Sequence, residues 1–322
     1  MHIYRHYETL PEEVRNAAIA IGNFDGVHIG HTEVIREAGL IARQKGLPWA
    51  VLTFEPHPRS VFMTNQPPFR LTPFRAKAHA LEALGIDAMI VQRFNRSFSE
   101  RPAEDFVLEV LVKGFGAHHI VAGYDFVFGH KRGGNCELLL SMGQQHGFGF
   151  TAVSAVESPD GKVYSSTRVR ACLDAGDVKG AEHVLGRPYA IEGRVAPGEQ
   201  LGRTLDFPTA NIHLGQGFRP KRGIYAVRVE IFDHAQTQVL DGVANIGNRP
   251  TVNGVGDLLE VFIFDFNEDL YGKRLRVSLI EFIRPEVKFD GLIELKAEMV
   301  KDAEQARQIL KNTPVNDIKA ER

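Results

Sequence analysis

The stretch NFDGVHIGH, Asn23 to His31, places His28 and His31 around an Ile-Gly pair, just behind an apolar run. Imidazoles in such a pair can ligate a metal, trade protons, or donate hydrogen bonds to phosphate oxygens. A zinc site needs three or four ligands, and no further ligand lies close in sequence. The setting favours phosphate. A buried strand runs into a glycine-containing turn and then into a helix beginning near Thr32, and the free N–H groups at such a start attract anions. Gly26 and Gly30 let the backbone approach a ligand closely. A metal completed by distant ligands and a purely structural pair stay open as the other readings.

Further stretches carry similar potential. YSSTRVRACL puts Ser166 and Thr167 at a helix start, with Arg168 and Arg170 just inside. Hydroxyls there cap the helix and arginines pair with phosphate, although an ordinary cap with solvated arginines reads the same way. GYDFVFGHKRGGN mixes glycines with Tyr124, Phe126 and Phe128, a loop that could hold a flat ring or simply lie on the surface. In GRTLDFPTAN, Pro208 fixes the backbone, and Thr209 and Asn211 then offer two neutral oxygens on one side of an extended segment. Such oxygens suit Mg²⁺, which also takes substrate phosphates, and Arg203 is placed to meet those phosphates. Glu260, at the head of the mostly apolar EVFIFDF, could be a general base or an exposed glutamate at a strand start.

Elements that would position these groups are readable. In the first half, strand-like AAIAIGNF, PWAVLTF, IDAMIVQRF and HHIVAG alternate with helical TEVIREAGLIARQKG, FRAKAHALEALG and PAEDFVLEVLVKGFG. That alternation predicts a parallel sheet covered by helices, with ligands outside the carboxyl ends of its strands. The second half changes period. Tyr225, Val227, Val229 and Ile231 face one way in GIYAVRVEIF, and Leu275, Val277 and Leu279 do so in KRLRVSLIEF, as in half-buried antiparallel strands of a small barrel. A closing helix shows a stripe of Leu292, Leu295, Met299, Ala303 and Ala306. The division falls near Gly186-Arg187-Pro188, giving expected domains 1–183 and 184–322.

Composition narrows the class. With 322 residues, 24% charged, 43% hydrophobic and a net charge of −2, the chain reads as two globular domains without a basic tract for nucleic acid. Cys136 and Cys172 form no metal or disulfide pattern and read as buried apolar side chains. No run approaches a membrane span or a signal peptide, so the expectation is a cytoplasmic protein with small-molecule partners, no nucleic acid and no membrane.

His-x-Gly-His after the first strand resembles the nucleotidyltransferase superfamily, which moves a nucleoside monophosphate onto a phosphate ester. GNFDGVHIGH, TFEPHP, GYDFVFGHKRGGN, SSTRVR, LGRPY, GRTLDFPTANI, GIYAV, NIGNRPT, DLYGKRL and RPEVKFDGLIELKAEMVKDAEQAR stand in the order found in prokaryotic bifunctional riboflavin kinase/FMN adenylyltransferases. Nearly the whole chain resembles that family. The resemblance implies a Rossmann-like adenylyltransferase domain, 1–183, and a flavokinase-like barrel, 184–322. It implies that His28 and His31 stabilise charge at the ATP α-phosphorus, that Ser166, Thr167 and Arg168 hold the outgoing phosphates, and that Gly22, Asn23 and Phe24 lie against adenosine. Asp125 matches a flavin-binding position. In the barrel, Thr209 and Asn211 would hold Mg-ATP, Arg203 the nucleotide phosphates, and Glu260 would be base on the riboflavin 5′-hydroxyl, with the Asn245–Thr251 loop helping to close the site. Substrates would be riboflavin, FMN and ATP, the cofactor Mg²⁺. Asp206 stands where the family usually has Gly, Phe262 where His often follows the catalytic Glu, and Val127 where Arg is common. An adenylyltransferase with a weak or silent kinase domain is therefore the alternative reading.

Overall fold

Short runs of small and β-branched residues build the first sheet. Its strands are β1 His2–Tyr4, β2 Ala18–Ile21, β3 Trp49–Glu55, β4 Ala88–Arg93, β5 His119–Gly123 and β6 Gly149–Val153. The computed structural model describes residues 1–63, 67–197, 207–232, 238–251 and 254–314. The sheet order is β1-β4-β3-β2-β5-β6, and each neighbouring pair is parallel. All of β2 is buried, as are Ala50 to Phe54 of β3, because helices cover both faces of such a sheet. The helices of this part are α1 Ile29–Lys45, α2 Pro58–Phe62, α3 Phe74–Glu82, α4 Arg96–Ser99, α5 Ala103–Asp105 and α6 Cys136–His146. The expected helix after Pro102 forms as α5 running into a π-helical stretch, Phe106–Gly114. β1, β6 and α6 were not expected.

Helix α1 buries Val34, Ile35, Ala38, Gly39 and Ala42. A Cβ on Gly39 would lie 2.7 Å from the Trp49 ring, so only glycine lets this helix meet β3 there. The indole N–H of Trp49 donates to the Ile35 carbonyl at 2.9 Å. One buried residue breaks the apolar rule. Lys77 of α3 is fully buried, and its Nζ lies 3.1 Å from Glu55 Oε1 and donates to Thr53 Oγ1 at 3.2 Å.

The second part begins with helices α7 Ser166–Ala175 and α8 Val178–Leu185. Strands β7 Ala190–Ala196, β8 Ala210–His213, β9 Gly223–Ile231, β10 Val239–Thr251, β11 Gly254–Ile263 and β12 Arg274–Arg284 then close an antiparallel barrel in the order β10-β11-β8-β7-β12-β9. Tyr225, Val227, Val229, Leu259, Val261, Leu275 and Val277 fill its interior. Helix α9, Leu292–Asn312, covers part of the outer face, where Ala303, Ala306 and Leu310 pack on Ala226, Val243 and Ile280. The expected stripe holds for Met299, Ala303 and Ala306, whereas Leu292 is exposed. Buried Arg228 of β9 reaches the C-terminal turn of α9, donating to the Leu310 and Pro314 carbonyls at 3.2 and 3.0 Å.

The chain packs as two compact units, one of residues 1–67 and 77–165, the other of residues 68–76 and, among the described residues, 166–314. Helices α7 and α8 fall with the barrel. Lys221 N–H donates to the Leu173 carbonyl at 2.9 Å, and Gly176 abuts Phe282. Cys136 and Cys172 form no disulfide and are half-buried rather than fully buried.

Candidate active sites

Strand β2 sits where the sheet order reverses, with β3 on one side and β5 on the other. In open sheets of parallel strands, a crevice forms at the carboxyl ends beside that point. Gly22, Asn23 and Phe24 leave β2 there. Phe24 (φ 47°) and Val27 (φ 45°) both adopt the left-handed conformation, unusual for any side chain and strained for a β-branched one. Burial of both side chains, each 2% exposed, holds the turn. The hydroxyl of Thr53, on neighbouring β3, donates to the Asn23 carbonyl at 3.2 Å. Lys77, Thr53 and Asn23 thus form one chain of hydrogen bonds behind the turn.

This turn delivers His28 to the N-cap of α1, where its Nδ1 accepts the His31 backbone N–H at 3.3 Å. Because Nδ1 is an acceptor, the ring carries its proton on Nε2 and presents that N–H as a donor. The two imidazoles stack with centroids 3.6 Å apart, and the Phe24 ring meets His31 edge-on at 5.4 Å. A Cβ on Gly30 would press on the His28 ring and the Tyr164 carbonyl, both at 3.3 Å. The structure therefore brings His28, His31 and Gly22 to Phe24 together at one helix start. Asp125 follows β5, the parallel neighbour of β2, so it lies at the same end of the sheet. Tyr124, Asp125 and Val127 are exposed there, while Phe126 and Phe128 stack at 5.5 Å and Phe128 is buried. The side chain of Val127 thus projects from the loop.

Ser166, Thr167 and Arg168 open helix α7, in the second unit. Arg170 is engaged locally, its Nε donating to the Phe69 carbonyl at 2.8 Å.

In the barrel, antiparallel register sets Glu260 of β11 directly opposite Asn211 of β8 and directly opposite Asn245 of β10. Side chains so paired leave on one face, Cβ atoms about 5 Å apart. That face is the outer one, since Leu259 and Val261 on either side of Glu260 point into the core. Phe262 continues the same face and packs at 4.9 Å from Phe207, forming an apolar wall next to Glu260. Asn211 is 8% exposed, and its Nδ2 faces the Thr209 carbonyl at 3.5 Å, which turns Oδ1 the other way. Residues 245–251, expected as a loop, are the end of strand β10. Arg203 and Asp206 lie outside the described residues.

Among the described residues no group of three or more His, Cys, Asp or Glu could cage a metal ion. The hydroxyl of Thr209 and the amide oxygen of Asn211 are hard neutral donors, too few to hold a cation by themselves. They fit Mg²⁺ that arrives on nucleotide phosphates and keeps part of its water.

Residues 10–168 match the family model described as FAD synthetase, and residues 185–310 match that of riboflavin kinase. Curated relatives carry the name bifunctional riboflavin kinase/FMN adenylyltransferase. One from Haemophilus influenzae is 40% identical over 95% of this chain and 98% of its own. One from Escherichia coli K12 is 41% identical over 92% and 93%, and one from Bacillus subtilis 37% identical over 97% and 98%. The chain belongs to this bifunctional family. A crystal structure from Streptococcus pneumoniae, described as a macrolide-efflux protein, shares the fold of nearly the entire chain, with TM-score 0.81, 29% identity, and 97% and 99% coverage. No helix among the described residues is long and apolar enough to cross a membrane.

Membership in the family matches each half to one of the two constellations above. The stacked histidines fall in the FAD synthetase match, and the Asn211–Glu260–Asn245 row in the riboflavin kinase match. Thr53, Glu55 and Lys77 escaped the sequence reading. TFEPHP stood out as a stretch, but a lysine inside a helical pattern is normally solvent-facing, and nothing local signalled its burial.

Proposed function

We propose that the chain phosphorylates riboflavin to FMN in residues 184–322 and adenylylates FMN to FAD in residues 1–183. In the barrel, Glu260 accepts the proton of the riboflavin 5′-hydroxyl. The oxygen then bonds to the ATP γ-phosphorus as the bond to ADP breaks. Thr209 and Asn211 orient the nucleotide phosphates, and Mg²⁺ bound there would neutralise their charge. Arg203 is assigned to the same phosphates by the resemblance. Little covalent work is needed, because phosphoryl transfer depends mainly on positioning and charge stabilisation.

In residues 1–183, an FMN phosphate oxygen bonds to the ATP α-phosphorus, and pyrophosphate leaves with the electrons of the broken bond. His28 offers its Nε2–H to the phosphoryl oxygens as negative charge builds, and His31 lies stacked against it. Gly22, Asn23 and Phe24 take the adenosine side, Asp125 the flavin, and Ser166, Thr167 and Arg168 the departing phosphates. A cytoplasmic location suits two steps that each consume ATP.

The observation that supports this reading most is the histidine pair fixed at the start of α1, at the reversal point of the sheet, in a chain whose barrel lines up Asn211 and Glu260. Incubation with riboflavin, ATP and Mg²⁺ should yield FMN first and FAD later. FAD from added FMN, with no FMN from riboflavin, would leave only the adenylyltransferase and select the silent-kinase alternative that Asp206 and Phe262 raise.

A further inference from the structure

We infer that Asn245 is a substrate-orienting residue of the kinase half, accepting a hydrogen bond from a secondary hydroxyl of the polyol chain whose terminal hydroxyl Glu260 deprotonates. The inference rests on the kinase reading above and deepens it.

Position comes first. Asn245 stands opposite Glu260 in the β10–β11 ladder, as Asn211 does in the β11–β8 ladder. The three polar side chains form one row on the outer face. Next along that face, Val243 and Phe262 are again an opposed pair, and they pack into the cluster beneath α9. The row therefore begins where the helix cover ends.

Orientation comes second. The Asn245 Nδ2 donates to Glu286 Oε1 at 3.3 Å. A carboxylate only accepts, so the amide cannot be reversed without setting oxygen against oxygen. Gly247 also belongs to the arrangement, since a Cβ there would collide with the Glu286 carboxylate. Glycine lets Glu286 reach across β10 to clamp the amide.

The consequence is an orphan acceptor. Asn245 Oδ1 is buried and has no hydrogen-bond partner among the described residues. A buried carbonyl oxygen left without a donor is costly, and native structures rarely keep one without a function. Its missing partner must bring an O–H or N–H donor. The phosphate acceptor of this half carries a run of vicinal hydroxyls leading away from the one that reacts. A hydroxyl neighbouring that terminal group would reach Oδ1 while the terminal oxygen faces Glu260. Such a two-point grip fixes both which hydroxyl is phosphorylated and its angle to the γ-phosphate.

The test uses the full-length chain with riboflavin and three analogues, each lacking one of the 2′-, 3′- or 4′-hydroxyls. Asn245→Leu should lower kcat/KM for riboflavin by about 10- to 100-fold, the range expected for one orphaned hydrogen bond. Wild type should lose a similar factor on one analogue, and Asn245→Leu should no longer distinguish that analogue from riboflavin. FAD formation from supplied FMN should be unchanged, and an unshifted thermal unfolding curve by far-ultraviolet dichroism should show that the barrel stays folded. Glu286→Gln frees the amide to flip and should raise KM for riboflavin several-fold at unchanged kcat, which covers the case of a poorly folding Asn245→Leu. Unchanged riboflavin kinetics in both folded variants, or full discrimination among analogues retained by Asn245→Leu, would overturn the inference. A wild type that makes FAD from FMN but no FMN from riboflavin would overturn the kinase reading and this inference with it.

Discussion

His28 has one observed role and one proposed role, and substitution can separate them. Its Nδ1 caps α1, and its Nε2–H is the donor assigned to the α-phosphate. Asparagine caps helices as well as any residue, so His28→Asn should keep the fold and lose the imidazole. FAD formation from FMN should fall about 100-fold, as for loss of one charge-stabilising donor, with the thermal midpoint little changed. A large drop in that midpoint would mean the residue is mainly structural. For the barrel, Glu260→Gln keeps the shape of the row and removes the proposed base. FMN formation should fall roughly 10²- to 10⁴-fold while FAD formation from FMN persists. The sequence put both residue sets forward as candidates because phosphate chemistry draws on few residue types in tight spacing. It concealed Asn245's orphaned oxygen, which exists only because β10, β11 and the segment after β12 meet.

Among the elements, the strand ends matter more than the strands. β2 and β3 are bridged beyond their ladder by the Thr53 hydroxyl on Asn23, and α3 stands behind with Lys77. Lys77→Met should destabilise the first unit by about 3 kcal/mol, because it leaves the largely buried Glu55 without this counter-charge. Calorimetry should show one lowered transition, and KM for ATP should rise in the adenylyl step alone. Equal losses in both activities would contradict the local role. Periodicity exposed most of these elements, since buried parallel strands read as apolar runs and barrel strands alternate. It failed where tertiary contacts decide. The three-residue β1 is defined by its pairing with β4, and the expected loop after Asn245 is a strand because β11 pairs with it to Thr251.

For the whole molecule, one half makes what the other consumes. A mixture of His28→Asn and Glu260→Gln chains should regain FAD synthesis from riboflavin, because FMN released by the first reaches the second. Failure to recover FAD, with each variant keeping its own remaining activity, would point to FMN that never leaves the chain on which it forms. Chelating Mg²⁺ should stop FMN formation, and restoring it should revive the reaction.

The single tryptophan, Trp49, adds a spectroscopic consequence. It lies in the first unit, half-buried against Gly39 of α1 and bonded to Ile35. Excited selectively, its emission reports on that unit, and the barrel is silent apart from its tyrosines. Melting followed by fluorescence and by far-ultraviolet dichroism should therefore diverge if the units unfold separately. The chain carries its own probe for telling which half a ligand, a denaturant or a substitution has reached.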